Sequence, residues 1–124
     1  MRALSLFAVL ALAACAPKPA PAPASLTLDC AKGFDALARE ISARPGVMPA
    51  HKEPGEPYRF YSEADGSASY MVTEPGAPGH PAILKQVVAA GAKVNSGCPF
   101  GDPAGYQQLL AYLASLSAPP EKAP

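Results

Sequence analysis

A chain of 124 residues with ten basic and ten acidic residues, and hence no net charge, has room for one small domain. It carries no basic cluster, so the electrostatic footprint of a nucleic-acid-binding protein is missing and we expect no nucleic-acid partner. Sixteen prolines are many for this length, and they gather in linkers and loops.

The chain begins with the features of a secretory signal. Met1-Arg2 supplies a short positive start, and an uncharged apolar run follows over residues 3–14. This run is shorter than the ~20 apolar residues that span a bilayer, so it fits a cleavable signal better than a membrane helix. It leads into Leu12-Ala13-Ala14-Cys15, which resembles the lipobox of bacterial lipoproteins. The alternative is an ordinary signal, cleaved after an alanine, that leaves Cys15 as a free thiol.

The resemblance to bacterial lipoproteins implies a lipid anchor and a location. In that family the signal peptide, here residues 1–14, is removed, and the cysteine, here Cys15, is lipidated. Several acyl chains anchor a protein firmly, so the membrane is the first expected partner. An Asp after the cysteine commonly retains such proteins at the inner membrane, but Ala16 stands here. The resemblance therefore implies the periplasmic side of the outer membrane if the organism is Gram-negative. The whole layout is similar to that of small uncharacterised envelope lipoproteins of proteobacteria.

The segments on either side of the predicted domain are expected to stay outside it. Residues 15–24 comprise Cys15 and a Pro/Ala-rich spacer, a composition typical of polyproline II. At about 3.1 Å per residue, the spacer would hold the domain on the order of 25 Å from the bilayer. A proline-rich ligand for a partner domain is the alternative interpretation. Residues 118–124 are predicted to be a disordered tail, which leaves a single domain over residues 25–117.

The domain is predicted to begin with a helix that runs to about Arg44. Asp29 is a good N-cap, and Pro45-Gly46 is a stop signal. Between them, apolar side chains recur at helical spacing: Cys30, Phe34, Leu37, Ala38 and Ile41. We interpret the charges on the other face as a solvated surface: Lys32, Asp35, Arg39 and Glu40.

Residues 58–73 are predicted to form a β-hairpin around Asp65-Gly66. Two registers are open. A two-residue turn pairs Ala64 with Ser67, whereas a three-residue loop with Gly66 in the left-handed conformation pairs Glu63 with Ser67.

The choice between these registers decides which face of the hairpin is buried. The two-residue turn places charged residues beside Tyr70 and Val72. The three-residue loop instead makes one mostly apolar face of Tyr58, Phe60, Tyr70 and Val72. We choose the three-residue loop for that reason, and Tyr61 and Met71 then lie on the outer face.

The second half of the domain is predicted to add a helix, a strand and a last helix. Pro81 suits the first position of a helix over residues 81–90, which puts His80 at or near its N-cap. Residues 92–95 form a brief extended segment, and Asp102-Pro103 begins a helix that ends near Leu116. The predicted fold class is α+β: a small two-layer domain in the order α-β-β-α-β-α, with the helices mainly on one face of the sheet.

The cysteines predict one disulfide. With Cys15 lipidated, Cys30 and Cys98 remain, and an even pair in an exported domain favours a disulfide between them. Closing a loop of about 70 residues should contribute roughly 4 kcal/mol in the chain-entropy model. A redox pair would need Cys-x-x-Cys spacing, and a zinc site would need closer ligands than two cysteines and two scattered histidines supply.

We expect no catalytic residues, no metal and no cofactor, because the sequence has no Gly-x-Ser-x-Gly elbow and no phosphate-binding glycine loop. The expected function is a non-catalytic binding or structural module whose partner is an envelope protein or a cell-wall component. Its candidate binding surface consists of Tyr61, Met71 and His80. The alternative is a small envelope hydrolase that uses His80 and a nearby carboxylate, because helix starts and Pro-Gly loops often line clefts.

Overall fold

A computed structural model describes residues 25–89 and 91–117 of the chain. The predicted signal peptide, spacer and tail lie outside these residues. Five strands form one antiparallel sheet in the order β1-β2-β3-β4-β5, with one α-helix before β1 and one after β5. The α+β class is therefore confirmed. In chain order, the elements are a 3-10 turn at Cys30–Lys32, α1 at Phe34–Ala43, β1 at Val47–Pro49, β2 at Tyr58–Glu63, β3 at Ala68–Thr73, β4 at Ala82–Ala89, β5 at Ala92–Pro99 and α2 at Pro103–Ser117.

The predicted first helix is divided in two. Asp29 does act as a cap, but of the 3-10 turn, where its side chain accepts a hydrogen bond from the Ala31 backbone N–H. Gly33 then has a φ of 85°, which a continuous α-helix cannot contain, and it becomes the N-cap of α1. The predicted end is confirmed, because α1 stops at Ala43, just before Pro45-Gly46.

The predicted helix over residues 81–90 is wrong, because most of this segment is β4. It pairs with β3 on one side and with β5 on the other, so it lies inside the sheet. Ile83 packs towards α1 and Leu84 packs towards α2, and both are fully buried. A strand covered on both faces loses the alternation of apolar and polar residues, and its apolar run resembles a helical stripe. His80 consequently precedes a strand and is not an N-cap.

The helices pack on opposite faces of the sheet, which differs from the expected two-layer arrangement with helices mainly on one face. On one face, Leu37 and Ile41 of α1 pack with strand residues that include Tyr70, Val72, Ile83 and Cys98. On the other face, Leu109 and Leu113 of α2 pack with Met71, Ala82 and Leu84. Three consecutive residues of β3, Tyr70, Met71 and Val72, are all buried. A strand with such a sequence needs cover on both faces, and the two helices supply it.

The predicted register of the hairpin is wrong, because the strands do not follow the three-residue loop. Tyr61 lies opposite Tyr70 and Phe60 lies opposite Met71, which is the alignment of the two-residue turn. Gly66 has the expected positive φ, 77°, but it lies in a longer connection between Glu63 and Ala68. The argument for the three-residue loop required one buried and one exposed face of the hairpin. The two helices cover both faces of the sheet, so the presence of an apolar face does not select a register.

Glu63 is tolerated in the core in this register because it is paired. It is 7% exposed, and its Oε1 accepts hydrogen bonds from Arg44 Nε at 2.7 Å and from the Tyr70 hydroxyl at 2.7 Å. Tyr70 in turn accepts a bond from the Leu26 backbone N–H at 2.8 Å. Burial, together with the bond to Glu63, raises the pKa of Tyr70 to about 12.

The disulfide between Cys30 and Cys98 is confirmed. The two Cα atoms lie 5.4 Å apart, and the bond joins the 3-10 turn to β5 across 68 positions of sequence. Cys98 is fully buried in the cluster beneath α1. The bond therefore fixes the start of the domain to the sheet on the α1 side.

Candidate functional site

An open groove of about 660 Å³ lies beside α1 on the sheet face that this helix covers. One wall is a single face of α1, because Phe34, Ala38, Arg39 and Ser42 follow helical spacing. The opposite wall comes from the strands and their connections: Arg59 and Tyr61 of β2, Val72 and Thr73 of β3, the following Glu74 and Pro75, and Lys52 and His80. The volume is within the range of ligand-binding clefts. We refer to it below as the α1 groove.

The α1 groove is lined by more positive than negative side chains. Among the described residues, three cationic side chains line it, Arg39, Lys52 and Arg59, against one carboxylate, Glu74. With His80 neutral, this is an excess of two positive charges in a chain whose net charge is zero. The groove therefore favours an anionic ligand.

Glu74 is held between two of these cations. Lys52 Nζ and Arg59 Nε each donate a hydrogen bond to its carboxylate, and its backbone N–H donates to the Pro57 carbonyl at 2.8 Å. These charged hydrogen bonds, from Lys52 first, lower the pKa of Glu74 below its ordinary value. The hydrogen bond between Arg59 and Glu74, together with the Tyr61 hydroxyl, raises the pKa of Arg59. The rim of the groove is thus a preorganised cluster of charges.

Arg39 differs from the other two cations. It is exposed on α1, and its guanidinium has no ion-pair partner within residues 25–89 and 91–117. The neighbouring Glu40 pairs instead with Lys32, at 3.0 Å. Arg39 therefore presents an uncompensated charge at the helix side of the groove.

His80 is oriented by a hydroxyl group. Its Nδ1 lies 2.8 Å from Thr73 Oγ1, which also accepts a bond from the Ala82 N–H at 2.8 Å and donates to the Ala82 carbonyl at 3.1 Å. The bond between Nδ1 and Thr73 Oγ1 fixes the orientation of the imidazole ring. The ring also meets the edge of Phe34, with centroids 5.5 Å apart.

The predicted surface of Tyr61, Met71 and His80 forms only in part. Tyr61 and His80 both line the α1 groove. Met71 does not, because it is 2% exposed and packs beneath α2 on the opposite face of the sheet. The error follows directly from the hairpin register, since a shift of one residue moves a side chain to the other face.

The charged part of the groove is not predicted from the sequence. Arg39 is exposed, as expected of a solvated helix face, but Lys52, Arg59 and Glu74 come from three separate segments whose proximity depends on the sheet. The spacing of Phe34, Ala38 and Ser42 does place them with Arg39 on one helix face, which was a usable signal.

Comparisons with protein-family models, with curated proteins and with solved structures give no match. Over the described part of the chain, neither helix has the length and apolar character needed to cross a membrane. The same residues contain no group of three or more His, Cys, Asp and Glu side chains placed to hold a metal ion.

Proposed function

We propose that this chain is a lipid-anchored envelope protein whose domain binds a partner in the α1 groove without transforming it chemically. The lipobox and the proline-rich spacer support the anchor, and Ala16 supports the periplasmic side of the outer membrane in a Gram-negative organism. The partner would be an envelope protein or a cell-wall component that reaches the tethered domain.

The single observation that carries the binding proposal is the build of the α1 groove. It combines apolar lining residues, which include Ala38 and Val72, with charged ones, which include Arg39. Ligand sites typically combine an apolar cavity with a few placed polar groups. Holding Glu74 between Lys52 and Arg59 also restricts these flexible side chains before a ligand arrives, which lowers the entropy lost on binding.

The alternative is a small envelope hydrolase that uses His80 and a nearby carboxylate. It is favoured by the presence of His80 and Glu74 in one groove. It is disfavoured by their partners, since His80 Nδ1 bonds to Thr73 and Glu74 is engaged by two cations. A general base of the usual triad type is oriented by a carboxylate. Turnover of an envelope substrate that is lost in His80→Gln would favour the hydrolase over the binding module.

Site-specific crosslinking in cells tests the binding proposal. A photoreactive residue replaces Tyr61 in the groove, and a matched control replaces Lys93, which lies on the α2 side of the sheet. We expect a discrete crosslinked species from position 61 that is absent from position 93. The same species from both positions, or none from position 61, would contradict the use of the groove.

Fractionation tests the anchor separately. Cys15→Ser should release the protein from membranes or leave an unprocessed precursor, because the lipid attachment point is lost. A variant that is processed and fractionates like the parent would show that the lipobox interpretation is wrong.

A further inference from the structure

We propose that the ligand of the α1 groove is an extended acidic peptide segment, and that Glu74 is an internal counter-ion for the cations that receive its carboxylates. This inference rests on the proposed function, namely that the groove is the binding site. It adds the chemistry of the ligand and assigns opposite roles to Arg39 and Glu74.

The first reason is that the groove contains more positive charges than its own carboxylate neutralises. Lys52 and Arg59 share the one carboxylate of Glu74, which leaves the cluster with one positive charge in excess. Arg39 adds a second, since it has no ion-pair partner in the described part of the chain. An arginine fork matches a carboxylate in geometry as well as charge.

The second reason is the way in which Glu74 is bound. A carboxylate held between a lysine and an arginine is the arrangement that a ligand carboxylate would adopt. Glu74 therefore shows the kind of group that this cluster recognises. Glu74 also competes with a ligand carboxylate, because it neutralises part of the positive charge that attracts the ligand.

The third reason is that a second cavity adjoins the α1 groove. This cavity, of about 190 Å³, shares Lys52, Arg59 and Tyr61 with the groove. β1 ends at Pro49, opposite Tyr61, so no strand pairs with the first half of β2 on this edge. The last hydrogen bond along the edge runs from the Ala50 N–H to the Phe60 carbonyl. Two adjoining cavities beside a short edge strand offer contacts for several residues of an extended chain, whereas a compact anion would use only one of them.

The surface around the groove argues against an anionic membrane as the occupant. The large apolar side chains that are exposed in the described residues are Met48, Val88, Val94 and Leu116, and none of them lines the groove. A membrane-binding surface combines cationic residues with apolar residues that insert into the bilayer.

A peptide titration tests the proposal. The protein is the full chain with Cys15→Ser, so that lipid does not interfere. The probe is an acetylated and amidated hexapeptide that alternates Glu and Leu, and the matched control replaces each Glu by Gln. We expect the Glu peptide to bind at least about tenfold more tightly, to shift the backbone NMR signals of Arg39, Arg59 and Tyr61, and to weaken as salt screens the charges.

Two variants should change this affinity in opposite directions. Arg39→Gln should weaken binding of the Glu peptide by about fivefold, the scale of one exposed ion pair. Glu74→Gln should strengthen it by a similar factor, because the counter-ion is removed. Lys93→Gln on the α2 side is the control and should leave the affinity unchanged. A purely structural role for Glu74 would not strengthen binding, so the direction of this change is the decisive readout.

Several results would overturn the inference. Equal affinity for the Glu and Gln peptides, or weaker binding by Glu74→Gln, would each contradict it. So would binding to phosphatidylglycerol vesicles without binding to the peptide. A crosslink from position 61 without acidic-peptide binding would remove this inference and leave the proposed function intact. If neither the crosslink from position 61 nor binding of the acidic peptide is observed, the proposed function is contradicted as well.

Discussion

The two faces of the sheet are covered by the same kind of element but by different chemistry. The α2 face is packed with apolar side chains such as Leu84 and Leu109. The α1 face contains an ion pair between the buried Glu63 and the half-buried Arg44, and one end of the disulfide at Cys98. Apolar cover requires volume and shape, whereas polar cover also requires a partner for each buried group.

The α1 groove, of about 660 Å³, is larger than the cavity of about 180 Å³ on the α2 side. α1 has ten residues and α2 has fifteen, so the shorter helix leaves part of its face open. The open part is lined by charged side chains from α1, from β2 and from the connections beside them. The charged lining is therefore on the α1 side, although both helices bury apolar side chains against the sheet.

The largest expected effect is the loss of the disulfide on the α1 side. Cys30→Ala with Cys98→Ala should reduce the free energy of unfolding by about 4 kcal/mol, because a closed loop of this length restricts the unfolded chain. The measurement is chemical denaturation in a Cys15→Ser background, where no other thiol is left. Reduction of the parent should give the same loss. An unchanged midpoint would mean that the α1 face is held by packing alone.

The next effect tests the apolar face. Leu109 of α2 is fully buried against the sheet, so Leu109→Ala should destabilise the fold by about 3 kcal/mol, through lost burial and a cavity. The control is Leu116→Ala on the same helix, which is 57% exposed and should change stability by less than about 0.5 kcal/mol. Similar midpoints for the two variants would show that α2 is not the main cover of this face.

A smaller effect is expected from the ion pair of the buried Glu63 with Arg44. Glu63→Ala removes the acceptor of both Arg44 and the Tyr70 hydroxyl, and it should cost about 2 kcal/mol because polar groups remain in the core. Glu53→Ala, at an exposed loop carboxylate, is the matched control. Thermal denaturation measures both. A gain in stability in Glu63→Ala would indicate that packing outweighs pairing on the α1 face as well.

The smallest effect concerns Glu74 in the groove. Its pKa is lowered by Lys52 and Arg59 from an ordinary value of 4.5. A lowered pKa in the folded state stabilises the fold above the unfolded value, and this contribution is lost as the pH falls through the folded value. We expect a carboxyl NMR titration of Glu74 with its midpoint below 4.5 in the parent, moving upward in Arg59→Gln. A midpoint at or above the ordinary value in the parent would contradict the charge cluster.

The sequence by itself determined the features that depend on local chemistry. The α+β class, the end of α1 before Pro45-Gly46, the positive φ of Gly66 and the pairing of Cys30 with Cys98 were all predicted. Each depends on residues adjacent in the chain or, for the disulfide, on the small number of thiols. Tyr61 and His80 were also identified as candidate surface residues, and both line the groove.

The tertiary structure alone decided which side of the sheet each residue faces. An apolar run such as Ile83-Leu84 suits a helix and a doubly covered strand equally well, and only pairing with β3 and β5 selects the strand. The hairpin register had the same origin, because the burial of Glu63 is acceptable only when Arg44 arrives from the end of α1. The charged rim depends on contacts between segments distant in sequence, such as Arg59 with Glu74, which no local pattern encodes.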